Sequence, residues 1–209
     1  VSLDDLQRMA SADDGTADLT QRVRSYLHVN CSHCHRRGGG GTAAIEVPLE
    51  VRFEKTRLIS RPTQGSFGIV DPWVVAPGDP ERSILYYRMS KVGRGRMPHF
   101  GSRVIDDQGL ALLREWITQL DDSTAGGVAE ADRSIIAAAK QLTATNRETL
   151  QTLSKEKDAA SASAQTAIER LLSSTSGALL LAGSFRGNAG KLPADVRNAV
   201  IAEGTARTN

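Results

Sequence analysis

Apolar residues recur along this chain mostly at helical spacing, with one stretch of alternation between. Leu19, Val23, Tyr26 and Leu27 make a single stripe and predict a helix over residues 17–30, with Gln21, Arg22 and Arg24 lying off it. Ile45, Val47, Leu49, Val51 and Phe53 then alternate with other residues, which predicts an extended segment or short strand within residues 43–76. Pro48 lacks the N–H that an inner strand needs, so such a strand would lie at an edge. Gly65, Gly68, Pro72 and Pro77 mark loops. Pro77-Gly78-Asp79-Pro80 predicts the start of a second helix, with Asp79 as N-cap and Pro80 in the first position. Ile84, Leu85, Tyr87 and Arg88 fall inside it, and it should stop near Ser90. A glycine- and arginine-rich loop, Lys91 to Ser102, precedes a third helix. Asp106 or Asp107 would cap that helix, Leu110, Leu113, Ile117 and Leu120 would form its buried stripe, and Trp116 would sit near the stripe's edge.

Asp121 to Gly127 reads as a polar, glycine-containing linker. Beyond it, Ile135, Ala139, Leu142, Leu150 and Leu153 keep a helical stripe between Ala129 and Ser154. A second runs through Ala164, Ile168, Leu171 and Leu172 towards Leu181, with Ser161, Ser163, Ser173, Ser174 and Ser176 softening the middle. A third starts at Pro193, contains Val196, Val200 and Ile201, and ends at Gly204. The expected fold class is therefore all-α. The expected organisation is an N-terminal extension (1–16), a first domain (17–120), a linker (121–128) and a helical segment (129–209). That last segment has no cysteine, histidine or tryptophan, and no chemistry is legible in it.

The chemistry is concentrated in Cys31-Ser32-His33-Cys34-His35. This is the C-x-x-C-H signature of covalent haem attachment. Two thiols three residues apart can each form a thioether with a haem vinyl group, and the adjoining His35 is held under the iron as proximal ligand. A zinc site wants four ligands, usually from two such pairs, and the chain has only these two cysteines. A thioredoxin-type redox pair would follow a strand in a βαβ pattern, and none is visible. Four glycines, Gly38 to Gly41, follow the motif. They read either as a close approach of backbone to the haem or as a flexible surface loop.

Composition agrees with this reading. The 209 residues are 40% hydrophobic, enough for one medium domain or two small ones. Aromatics make up only 4%, so a haem would supply core that the side chains do not. The formal net charge of +2 does not point to nucleic acid. No apolar run approaches the roughly eighteen residues of a membrane span. No signal peptide is legible at Val1, and the chain starts as a processed protein or an excised piece would.

The order helix, C-x-x-C-H, long loop, short helix, Met-Pro loop, terminal helix resembles a class I cytochrome c. The resemblance covers about residues 17–120 and rests on Cys31, Cys34, His35, Met97 and the apolar last helix. More narrowly, YLHVNCSHCH (26–35), PGDPERSILYYRMS (77–90), RMPHFGS (96–102) and LREWITQL (113–120) are similar to cytochrome domains of planctomycete-type multidomain proteins. Those are attached to larger sugar or alcohol dehydrogenases or to repeat scaffolds. Leu171 to Gly204 resembles a helical-repeat unit of HEAT type. A single such unit cannot bury its apolar face alone, so it would pack on the cytochrome or on a segment outside this chain. The resemblance implies that the first and last helices cross at one edge of the haem, and that a late-loop methionine is the sixth ligand. Met97, stiffened by Pro98, is that methionine. His99 is the alternative, giving bis-histidine ligation. Met9 has no partner pattern, Met89 reads as a core filler, and His28 and His33 read as exposed or hydrogen-bonded.

His/Met ligation raises the potential and leaves no open iron position, which favours electron transfer over catalysis. The expectation is an extracytoplasmic, periplasmic module with one covalent haem c, serving a redox partner protein or an attached dehydrogenase domain. A haem peroxidase or ligand-binding haem protein with a displaceable sixth ligand is the alternative. A zinc module built on Cys31, Cys34 and two histidines is a third. Between Arg82 and Val104 lie six basic residues (Arg82, Arg88, Lys91, Arg94, Arg96, Arg103) and no acidic one. These would pair with haem propionates or form a docking patch for an acidic partner.

Overall fold

The first helix, α1 (Leu19–Cys31), starts where the Asp18 carboxylate accepts a hydrogen bond from the Gln21 N–H. Its apolar stripe buries Val23 and Leu27 almost completely. Two arginines off that stripe reach neighbouring loops. Arg22 donates to the Ala12 carbonyl at 3.0 Å, and Arg24 to that of Leu49 at 2.8 Å and to that of Val51. The computed structural model of the chain describes residues 8–100, 103–121, 130–186 and 192–207. The expected linker lies outside these apart from Asp121. Within them the fold is all-α: seven α-helices, no strand, and one isolated parallel bridge between Trp73 and Ser83.

The alternating stretch at 45–53 is not a strand. Ile45, Val47 and Leu49 are buried in an extended loop, and Phe53–Lys55 is a 3-10 turn. The loop's backbone bonds run to a helix side chain and to turns: Val47 N–H to the His35 carbonyl (2.9 Å), Leu49 N–H to His28 Nδ1 (3.1 Å) and Glu46 N–H to the Thr56 carbonyl (2.9 Å). Val47, Pro48 and Leu49 are buried in succession, and His28 and Arg24 of α1 bond to this stretch.

The second helix opens later than its Asp-Pro start predicts. Pro80–Arg82 is a separate 3-10 turn, and the Asp79 side chain caps nothing there. Ser83 is extended: its hydroxyl accepts from the Ala76 N–H and donates to the Asp79 carbonyl, both at 2.9 Å. The helix α2 (Ile84–Met89) follows and ends at Ser90. The last helix of this part, α3 (Asp107–Gln119), is capped by Asp106, which accepts from the Gly109 N–H at 2.9 Å. Trp116 is not at the stripe's edge but wholly buried, edge-on to Phe53 at 5.9 Å and donating to the Thr20 hydroxyl at 3.2 Å. Buried Glu81 is paired with Arg114 of α3 at 2.7 Å. Burial alone would lower the Arg114 pKa, but Glu81 overrides it and the net shift is upward.

Helices α1 and α3 pack against each other. At their contact the Tyr26 ring lies so close to Gly109 that a Cβ there would fall 2.3 Å from the Tyr26 oxygen. Tyr26 also donates to Asp106 at 2.8 Å. Burial first, and Asp106 second, push its phenol well above the usual range.

The chain divides into two compact units, Val1–Ser66 with Pro72–Gly127, and Phe67–Asp71 with Val128–Asn209. The second unit contains α4 (Glu130–Leu153), α5 (Ala162–Leu172), α6 (Thr175–Arg186) and α7 (Ala194–Ala206). Its core joins Leu153, Ala164, Ile168, Leu171, Leu181, Leu192, Val196 and Val200. The apolar face of Leu171 to Gly204 is thus covered by α4 and α5 of the same chain, contrary to the expectation of a cover from the cytochrome or from outside. Four further expectations change. Ile135 and Ile201 are exposed, not core. The run to Leu181 is two helices, broken at Ser173-Ser174. The serines organise these helices instead of softening them: Ser161 accepts from the Ala164 N–H and Ser174 from the Gly177 N–H, each at 3.1 Å. Gly204 lies inside α7. In this unit, too, Thr175 donates to the Phe67 carbonyl at 3.0 Å.

Candidate functional site

The C-x-x-C-H motif begins on the last residue of α1 and continues as a tight turn. The Cys31 carbonyl accepts from the Cys34 N–H (3.1 Å) and the His35 N–H (2.8 Å), and the Cys34 carbonyl from the Gly41 N–H (3.0 Å). Both thiols are free and half-buried. Burial first, and the neighbouring Cys34 second, push the Cys31 thiol up to about 12. His35 is held below its ordinary pKa by burial and then by the positive charge of Arg88, against a smaller upward pull from the Ala43 backbone. Its Nδ1 is buried and makes no well-formed hydrogen bond. Gly41 packs flat on the imidazole, since a Cβ at that position would fall 2.7 Å from Nδ1. The close approach at Gly41 is to the motif's own histidine and to the Cys34 carbonyl.

Cys31, Cys34, His35 and Met97 all line one cavity of about 310 Å³. Its other walls are mainly apolar and include Leu27, Ile45, Val47, Leu58 and Leu85. Two further candidates, Met89 at the end of α2 and His99 two residues after Met97, also face it. Met89 is buried, Met97 half-buried and His99 exposed. Met9 is exposed and is not on this cavity, and His28 accepts the Leu49 N–H through Nδ1. His33 is exposed on the cavity's rim. A smaller space of about 60 Å³ shares His35, Ile45, Leu85 and Met97 as walls and adds Arg61 and Arg88. Among the described residues no three His, Cys, Asp or Glu side chains converge as a metal-ion site.

The basic run between Arg82 and Val104 is not one solvated face. Arg82 is buried beside Asp79 at 3.9 Å, Arg96 is buried and donates to the Val104 carbonyl at 3.1 Å, and Arg88 donates to the Gly95 carbonyl at 2.8 Å. Lys91 lies over the Tyr87 ring and donates to the Arg94 carbonyl at 2.7 Å. Arg94 and Arg103 are exposed and, with His99, line an open groove.

Sequence reading placed Tyr26 only on the apolar stripe of α1, did not mark Gly109, and named Arg88 only among the basic residues for propionates or docking. A lone glycine inside an apolar helix pattern and a tyrosine one helical crossing away are the only signals for the first two. No family model, curated protein or solved structure matches the chain.

Proposed function

We propose that residues 17–120 form a class I c-type cytochrome domain that carries one covalent haem c and passes single electrons. The observation that carries this reading is the apolar cavity of about 310 Å³ that the two motif thiols, His35 and Met97 line together. Its size lies within the range of small-molecule and cofactor sites. The donor set fits the group: two thiols at thioether spacing, a neutral imidazole and a thioether sulfur, with a glycine cradle behind the imidazole. Haem bound there would supply a one-electron iron couple.

The chain's own residues do the rest. Cys31 and Cys34 tether the group to the end of α1. Gly41 against Nδ1 leaves Nε2 of His35 as the nitrogen for iron. Met97 would be the second protein ligand, and the apolar walls would exclude water. Held in this way, the group would serve as an electron carrier for a partner protein or an attached dehydrogenase domain. The module works outside the cytoplasm, where the thioether-forming apparatus of such proteins acts.

His99 shares the cavity wall with Met97 and is exposed, which keeps a second reading in play: a haem protein whose sixth ligand is displaced by an added molecule. Mass spectrometry of the native chain should show one covalent haem, with Soret and α bands that survive acid acetone. A chain without the added mass overturns the proposal. Carbon monoxide uptake by the reduced native protein would favour the second reading.

A further inference from the structure

We infer that Arg88 is a positioning residue that holds Met97 in place through two bonds to the returning end of its loop. The inference rests on the haem c reading above and assigns a residue that the motif does not contain. Arg88 lies in the last turn of α2, four residues after Ile84 and next to Met89. Its carbonyl accepts the Met97 N–H at 2.9 Å, and its Nε donates to the Gly95 carbonyl at 2.8 Å. The loop Lys91–Met97 therefore returns to the residue from which it departed. One bond fixes the backbone at the candidate ligand, and the other fixes it two residues earlier. The Arg96 N–H adds a turn bond to the Gly93 carbonyl at 3.2 Å.

The location agrees with this role. Arg88 is half-buried and lines the same small space as His35 and Met97. A thioether is a weak, neutral ligand with three rotatable bonds, so its hold on a metal depends on how well its backbone is fixed. A guanidinium Nε–H in fixed plane can aim at one carbonyl, which a lysine ammonium on a flexible stem does less well.

The test is to replace Arg88 in the full holo-chain with Met and, separately, with Lys. The readouts are the far-red methionine–iron charge-transfer band of the oxidised protein and carbon monoxide binding by the reduced protein. Both variants are expected to weaken the band and to speed carbon monoxide uptake, Arg88→Met by on the order of tenfold or more, the weight of a hydrogen bond from a charged donor. Arg88→Lys should fall between Arg88→Met and the native protein. Arg22→Met, which removes bonds to the Ala12 carbonyl away from the cavity, serves as control and should change neither readout. A native band and native exclusion of carbon monoxide in both variants overturn the assignment. If Arg88→Met retains no haem, Arg88→Lys decides on the same criteria. A native chain with no haem would instead defeat the function itself, so the two failures are distinguishable.

Discussion

At the scale of single residues, Met97 and His99 are two positions apart, face one cavity and differ in burial. Half-buried Met97 has its backbone tied to α2, whereas His99 is exposed and also borders the open groove. Met97→Ala is therefore expected to abolish the far-red band, lower the midpoint potential and admit carbon monoxide to the reduced iron. His99→Ala should leave the band in place. Visible spectroscopy of the two variants decides it, and the reverse pattern would replace His/Met by bis-histidine ligation. The motif residues were legible because their spacing alone marks them, and the structure brings them to one cavity wall with Met97. Arg88 was legible only as one of six basic residues, because nothing in local spacing records that its Nε meets the Gly95 carbonyl.

At the scale of elements, the crossing of α1 and α3 depends on Gly109. A methyl group at that position would sit inside the Tyr26 ring's space, at 2.3–2.6 Å from its atoms. Gly109→Ala should therefore destabilise the holo-protein by about 1–3 kcal/mol through overpacking, despite alanine's better helix propensity. Tyr26→Phe, which removes only the bond to Asp106, should cost about 1 kcal/mol. Urea denaturation monitored at the Soret band gives both, and a stabilised Gly109→Ala would refute the close crossing. Helix positions were readable where period and cap agreed, as at Asp106 and Pro193. They failed where a residue was doing tertiary work. Ser83 interrupts the expected Asp79 start because its hydroxyl joins Ala76 to Asp79. The alternation at 45–53 failed in the same way: the segment is an extended loop bonded to α1 through His28 and Arg24, with no partner strand.

At the scale of the whole molecule, the two units have different sources of core. The second has its own cluster of aliphatic side chains around α4 to α7. The first is arranged around the crevice of about 310 Å³ that the motif lines, with apolar walls from Leu27, Ile45, Val47, Leu58 and Leu85. On the proposed reading those walls would pack on the haem. Both tryptophans, Trp73 and Trp116, belong to the first unit, and the larger share of the helix to the second. A Cys31→Ala, Cys34→Ala chain without haem should accordingly show red-shifted, solvent-exposed tryptophan emission while keeping most of its far-UV helical signal. Native-like emission in that chain would mean the cavity needs no occupant. The Cys31 thiol adds a constraint on timing. Burial, and Cys34 after it, push that thiol up to about 12, which disfavours the thiolate in the folded crevice. On the proposed reading, attachment at Cys31 would be easier before the chain closes around it. In manufacturing terms the proposed cofactor would be a component installed before closure, not a part exchanged in service.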